Sequence, residues 1–191
     1  MTDWKDRLVG TLEPALSQPD PRELISAYHD MPYAVFRYPP EAELAVRQET
    51  ALLVTRLQHA GKRVTIVSLA ECLAEALASA GVTIEQLADA ERTVGLDLVI
   101  DTIHAVLDGD PPLDALVARR LPADADPLRD VVLIVRAGAL FPCYRTSSLL
   151  EQLKGQVHVP AVLFYPGVLD GIGLRFMGVL APEHNYRPKI F

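Results

Sequence analysis

The sequence has 191 residues and a mass of 20.9 kDa, with 50% apolar residues and a mean hydropathy of +0.18. A chain of this length buries roughly 70% of its unfolded surface, so it can form a full hydrophobic core, and general disorder is excluded. The formal charge is −7, from 18 basic and 25 acidic residues. This charge disfavours a protein that binds nucleic acid mainly by neutralising phosphates.

The cysteines and the N-terminal residues bear on the cellular compartment. Cys72 and Cys143 form no C-x-x-C pair, so neither a disulfide framework nor a zinc knuckle is predicted. Asp3 and Asp6 lie where a signal peptide would need basic residues. The longest aliphatic run, residues 131–135, is far shorter than the ~20 residues that a membrane span requires. We therefore expect a cytoplasmic protein with no membrane span.

The first half of the chain begins with a weak strand signal at residues 34–38, which ends at Pro39-Pro40. Apolar residues at helical spacing then predict a helix from residue 41 to residue 60, and residues 63–69 (RVTIVSL) predict a buried strand. Ser68 and Thr83 each begin a capping-box pattern, which predicts a helix after each of them. Two further helices are expected, over residues 96–107 and over residues 111–121 with Asp110 as the N-cap.

The second half returns to short β-branched runs. Residues 131–136 (VVLIVR) and 161–165 (AVLFY) predict buried strands, with a helix over residues 146–153 between them and a glycine-flanked strand at residues 174–177. Strands that are apolar throughout are typical of parallel sheets covered on both faces. The element order therefore predicts a single α/β domain over residues 1–191. It has a mainly parallel sheet of four or five strands, helices on both faces and an acidic helical insertion at about residues 83–121.

Charge is unevenly distributed along the chain. Residues 1–128 carry a net charge of −10 and the remaining residues carry +3. The segment from Glu85 to Asp114 contains eight carboxylates and a single arginine, Arg92. Such a run is usually a solvated surface, and the other interpretation is a face that docks a partner. If the segment does dock a partner, its expected exposed contact residues are Asp97, Asp101 and Asp108.

The motifs of common catalytic sites are missing from the sequence. Gly61-Lys62 does not complete a P-loop, and the glycines at positions 171 and 173 do not complete a dinucleotide-binding fingerprint. The five histidines are scattered without metal-ligand spacing, so neither a metal nor a cofactor is expected. Cys143 lies near Arg136 and Arg145, which would lower the pKa of its thiol, although a structural thiol is the favoured interpretation.

Two loops follow predicted parallel strands, at the sheet edge where ligands of α/β proteins gather. They are residues 136–145 (RAGALFPCYR) and 166–175 (PGVLDGIGLR). Their candidate functional residues are Arg136, Phe141, Pro142, Arg145, Pro166, Gly167, Asp170, Gly171 and Arg175. Three interpretations remain open: Asp170 pairs with an arginine and pins the two loops together, the charged residues converge on an anion or nucleotide, or the loops bind a partner.

Several motifs together resemble the BrxB family of BREX (bacteriophage exclusion) phage-defence systems. They are residues 35–47 (VFRYPPEAELAVR), 138–146 (GALFPCYRT), 159–171 (VPAVLFYPGVLDG), 174–176 (LRF) and 185–187 (NYR). The resemblance covers about residues 5–191 and keeps the motif order. It implies a small cytoplasmic component of a defence operon that methylates host DNA and blocks phage replication. It also implies a partner, the alkaline-phosphatase-like PglZ, and possible contacts with other BREX components. The acidic insertion contributes none of these motifs.

These observations leave three functional hypotheses. The first is a non-enzymatic adaptor that binds a PglZ-like protein in a BREX complex. The second is a nucleotide- or anion-binding enzyme or sensor that uses Arg136, Arg145, Asp170 and Arg175 at the strand ends. The third is a DNA-contacting module that uses the basic residues after position 128, including Arg187. The overall charge weighs against direct nucleic-acid binding.

Overall fold

A computed structural model describes residues 3–26, 33–171, 173–183 and 188–191. The NYR motif at residues 185–187, together with His29 and His184, lies outside the described residues. None of the helices in the described ranges combines the length and the apolar character that a bilayer-crossing helix needs.

The chain begins with a helical segment that the sequence did not predict. Helix α1 (Trp4–Arg7) continues through a π-helical turn (Leu8–Leu12) into α2 (Glu13–Leu16), and α3 (Arg22–Ile25) follows. Leu8, Leu12 and Leu16 are fully buried. Burial of these leucines against the sheet, rather than a strong local helix signal, stabilises the segment.

The next elements agree closely with the predictions. They are β1 (Tyr33–Tyr38), a 3₁₀ turn (Pro40–Ala42), α4 (Glu43–His59), β2 (Arg63–Ser68) and α5 (Leu69–Ser79). The Ser68 side chain accepts a hydrogen bond from the Glu71 N–H, so the predicted cap of α5 is confirmed. Helix α4 lies between the prolines that end β1 and the positive-φ Gly61.

Three helices follow α5 and precede the next strand: α6 (Ile84–Val94), α7 (Leu96–Leu107) and α8 (Leu113–Ala118). The capping box at Thr83 is confirmed, since its hydroxyl accepts from the Gln86 N–H and Gln86 Oε1 accepts from the Thr83 N–H. The predicted start of α8 at residue 111 is wrong. The helix begins two residues later, with Pro112 rather than Asp110 at the N-cap, because Pro112 still has an extended backbone.

The second half contains β3 (Asp130–Val135), α9 (Thr146–Gln152), β4 (Ala161–Asp170), β5 (Gly173–Phe176) and β6 (Lys189–Ile190). The hydrogen-bonded strand order is β2-β3-β4-β1-β6, and each of these pairs is parallel. β5 pairs antiparallel with the second half of β4. The predicted α/β class with a mainly parallel sheet is confirmed.

Helices cover both faces of the sheet, as predicted. On one face, α4 and the N-terminal helices bury Phe36, Leu133 and Phe164. On the other face, α5, α8 and α9 bury Val35, Ile134 and Leu163. Alternate residues of each strand therefore enter opposite cores.

β2 is an edge strand, so the prediction that residues 63–69 form a buried strand is wrong in part. Within the described sheet β2 pairs only with β3, and Ile66 is 48% exposed. Only Val67 and Ser68 of the strand are buried. The β-branched run therefore reflects strand propensity rather than full burial.

Candidate functional site

The loop that follows β3 packs against the β4–β5 hairpin. It begins at Arg136, which has a left-handed backbone (φ 60°, ψ 38°), and continues through a 3₁₀ turn (Ala137–Leu140). A Cβ atom added at Gly138 would lie 3.5 Å from Pro166 Cγ and 3.6 Å from Met177 Sδ. Phe141 meets Phe176 edge to face, with 5.8 Å between the ring centroids. The two loops singled out in the sequence are therefore neighbours.

Asp170 and Arg175 pair within the hairpin itself. Arg175 donates to the Asp170 carboxylate across the antiparallel β4–β5 turn, and their side chains are 47% and 34% exposed. The pair therefore closes one hairpin instead of pinning two loops to each other. Its exposure to water weakens the interaction.

The expected effect of Asp170→Ala follows from this exposure. We expect the substitution to lower the free energy of unfolding by less than ~1 kcal/mol, because double-mutant cycles give exposed ion pairs about 0.2–1 kcal/mol. Thermal unfolding of Asp170→Ala and of the neighbouring Leu169→Ala measures it, with the exposed Leu169 as the matched hairpin control. A loss of several kcal/mol for Asp170→Ala alone would contradict the assignment of the pair as a surface contact.

Arg145 reaches a different carboxylate. Its Nη1 lies 3.6 Å from Glu183 Oε1, and the backbone of Glu183 pairs with that of Leu174 at 2.9 and 3.0 Å. The Glu183 side chain is 9% exposed, and its Oε2 has no hydrogen-bond partner in the described part of the chain. Arg145 therefore ties the loop after β3 to the region beside β5.

The acidic insertion meets this same loop. A cleft of about 310 Å³, termed the insertion cleft, separates α7 from the 142–145 loop and α9. It is lined by Ile100, Asp101, His104, Asp108, Pro142, Cys143, Tyr144, Arg145, Ser148 and Gln152. Two of the carboxylates expected to bind a partner, Asp101 and Asp108, therefore line the same concave surface as two candidate loop residues, Pro142 and Arg145. The sequence did not predict this arrangement.

The floor of the insertion cleft is held by aromatic and polar contacts. His104 stacks on Tyr144 with 5.6 Å between the ring centroids, and the Tyr144 hydroxyl donates to Gln152 Oε1 at 2.7 Å. Burial, with the nearby Asp108 carboxylate as a smaller cause, raises the pKa of Tyr144 to about 12. Tyr144 is therefore a neutral hydroxyl that positions α9 beneath α7.

Cys143 does not have the reactive character that its sequence neighbours suggested. Burial raises the pKa of the Cys143 thiol. The expectation that Arg136 and Arg145 lower this pKa is wrong, because Arg145 is directed to Glu183 and Arg136 lies in a different groove. The thiol is a neutral, buried part of the cleft wall.

Arg136 lines a separate apolar groove at the carboxyl ends of the strands. This strand-end groove, of about 170 Å³, is formed by Tyr38, Glu43, Val46, Arg47, Thr50, Ala51, Ile66, Val135, Arg136 and Phe164. The Tyr38 hydroxyl donates to the Glu43 carboxylate, and burial raises the pKa of Tyr38 well above its usual range. Arg136 lines this groove, whereas Arg145 of the same loop lines the insertion cleft. Arg136, Arg145 and the Asp170–Arg175 pair thus occupy three different places.

Side chains that could bind a metal ion do not cluster in the part of the chain that the structure describes. Across the described ranges, no group of three or more His, Cys, Asp or Glu side chains is arranged to hold a metal ion. The polar groups that line the insertion cleft are carboxylates, an imidazole, a thiol, two hydroxyls, an amide and the guanidinium of Arg145.

Comparison with known proteins tests the resemblance. A family model described as BREX protein BrxB matches residues 65–190 of the chain. The chain belongs to the BrxB family. A BrxB relative, the BREX protein BrxB of Bacillus cereus (strain H3081.97), is 26% identical over 176 residues, which cover 91% of this chain and 90% of the relative. No solved structure matches the chain significantly. Membership of the BrxB family supports a role as a component of a BREX phage-defence system.

Proposed function

We propose that this BrxB-family protein is a non-enzymatic adaptor of a BREX complex, acting in the cytoplasm, and that helices α6 and α7 dock the PglZ-like component. Family membership supports the BREX context. The single observation that carries the docking surface is the exposure of α6, which has no buried residue. A helix that neither enters the core nor covers the sheet has no evident role in stabilising the fold.

Apolar side chains are exposed along this helix pair. Ile84, Val94, Leu96 and Leu98 are 67%, 57%, 53% and 52% exposed. The last three lie around Gly95, where α6 turns into α7. Leu87 and Ala90 of α6 are only half-buried. Exposed apolar residues that cluster at a protruding corner are typical of a protein-binding surface.

The charges along α7, from Asp97 beside this corner to Asp108 at the other end of the helix, indicate the chemistry of the partner. Asp97, Asp101 and Asp108 are all exposed. Arg92, the one arginine between Glu85 and Asp114, already pairs with Asp89. The surface therefore fits a partner that presents an apolar patch with a basic rim. Complementary charge of this kind raises association rates at low ionic strength.

Association kinetics with the purified PglZ-like protein of the same operon test the proposal. We expect Asp97→Lys/Asp101→Lys/Asp108→Lys to slow association at least several-fold at ~50 mM salt, because it reverses the attraction that steers the encounter. The difference should shrink by ~300 mM salt, since the Debye length falls from about 14 to about 6 Å over this range. Circular dichroism and thermal melting check that the variant is folded.

A control of equal charge change is Glu23→Lys/Glu41→Lys/Asp124→Lys, whose three positions are exposed and lie outside the insertion. We expect this control to associate faster than the insertion variant at low salt. Association rates that respond equally to both triple variants, or to neither, would contradict docking through the insertion. Stoichiometric co-purification from cells expressing the whole operon tests the adaptor role separately, because it does not depend on which surface is used.

A further inference from the structure

A cleft of about 600 Å³ lies outside the carboxyl ends of β1 and β4, away from the insertion cleft and from the strand-end groove. It is lined by Arg7, Thr11, Arg37, Leu169, Gly171, Lys189, Ile190 and Phe191. None of these described lining residues is Asp or Glu. The edge beyond the carboxyl ends of parallel strands is where α/β proteins bind their ligands, and this volume is typical of small-molecule sites.

The three cations of this basic cleft have little anionic compensation. Arg7 Nη2 donates to the Arg37 carbonyl oxygen at 2.9 Å, whereas Arg7 Nε and Nη1 are buried and have no acceptor among the described residues. Burial and the neighbouring charge of Arg37 lower the pKa of Arg7, and the exposed Asp3 opposes this only weakly. A partly buried guanidinium without a carboxylate leaves a positive potential in the cleft.

The remaining cations are not neutralised by ion pairs either. Within the described chain the Arg37 guanidinium forms no hydrogen bond or ion pair, and Lys189 donates to the Leu24 carbonyl oxygen at 2.7 Å. Asp170 lies next to the cleft but its carboxylate is taken by Arg175. The backbone carbonyl of Phe191 accepts from the Arg37 N–H at 3.2 Å. Two of the three positive groups therefore remain able to bind an anion.

We propose that this basic cleft binds a small phosphorylated molecule, with its phosphate monoester held by Arg37 and Lys189 in the field of Arg7. Arginine and lysine are the side chains that proteins use most for phosphate. Leu169, Ile190 and Phe191 supply an apolar wall for the organic part of the ligand. The Phe191 ring already faces a cation, with Lys189 Nζ 4.7 Å from its centroid. This site is independent of the adaptor role and of the surface that docks the partner.

Calorimetric titration of the full chain with AMP, inorganic phosphate and adenosine tests the site. We expect AMP to bind more tightly than phosphate, and adenosine not to bind, because the charge carries the recognition. Arg37→Gln should weaken AMP binding by about tenfold or more, the typical effect of losing a charge-assisted hydrogen bond. Arg47→Gln is the matched control, since Arg47 is exposed, lines the strand-end groove instead and should leave AMP affinity unchanged.

Lys189→Gln is a second variant that removes the other phosphate-binding cation, and it should also weaken AMP binding. The proposal is overturned if neither AMP nor phosphate binds, if adenosine binds as well as AMP, or if Arg37→Gln and Arg47→Gln bind AMP equally. A single-stranded oligonucleotide without a terminal phosphate should not compete with AMP. Competition by this oligonucleotide would instead assign the cleft to a nucleic-acid backbone and reject the small-ligand proposal.

Discussion

Gly167→Ala is expected to lower the free energy of unfolding by about 3 kcal/mol, the upper end of the usual cost of overpacking. Gly167 lies in the middle of β4, where the strand leaves its parallel partners and begins to pair with β5. A Cβ atom at this position would stand 2.5 Å from the Arg175 carbonyl oxygen and 3.0 Å from Tyr165 Cδ1. Because the Arg175 carbonyl oxygen belongs to the backbone, the steric clash can be relieved only if β5 moves away from β4.

Thermal melting measures this effect directly. A loss of about 3 kcal/mol corresponds to roughly 6–12 °C for a protein of this size. Gly10→Ala is the matched control, because a Cβ atom at Gly10 has no neighbour within 4 Å and its φ is not positive. We expect that control to melt at or slightly above the temperature of the unsubstituted protein. Equal melting temperatures for the two alanine variants would contradict the close approach of β5.

Phe164→Ala is expected to cost about 3–5 kcal/mol of stability, as large-to-small substitutions of buried aromatic residues do. Phe164 is 1% exposed in β4, between β3 and β1, and its ring lies 5.2 Å from that of Phe36. Because whole domains are stable by only about 5–15 kcal/mol, this single cavity removes a large share of the total. It also removes the floor of the strand-end groove.

Urea unfolding monitored by circular dichroism compares the stability of Phe164→Ala with that of a control variant. Phe164→Leu is the control, since a change that keeps most of the apolar volume is expected to cost less than about 1.5 kcal/mol. Both variants should keep the slope of the transition, which depends on the surface exposed by unfolding. A Phe164→Ala variant no less stable than Phe164→Leu would show that this face of the sheet collapses around the missing ring.

Local signals explain which parts of the fold could be predicted from the sequence. Helix α7 was predicted with its observed ends, and Thr83 and Ser68 were correctly identified as caps, because capping depends on residues within one turn. β4 was predicted to end at Tyr165, since Pro166 and Gly167 usually terminate strands. It continues to Asp170 because residues 167–170 pair with β5, and Gly167 allows the close approach of the Arg175 carbonyl oxygen.

The arrangement of the candidate site depends on tertiary contacts that no short segment encodes. Pairing of Asp170 with an arginine was among the expectations, but the partner is in the same hairpin. Asp101, Asp108 and Arg145 line the same cleft because α7 lies beside the 142–145 loop. This arrangement is determined by tertiary packing and not by any local sequence signal. The backbone of Arg136 is left-handed, a rare conformation for a non-glycine residue, so its separation from Arg145 could not be predicted.

The position of β1 in the sheet affects how the chain folds during translation. In the described sheet, β1 pairs with β4 and β6, whose residues follow it by more than 120 positions. At about 5–20 residues per second, the last β4 residue that pairs with β1 is added roughly 7–27 s after Tyr33. Until then Val35 and Phe36 have no strand beside them. The sheet therefore assembles around its first strand only after β4 has been synthesised.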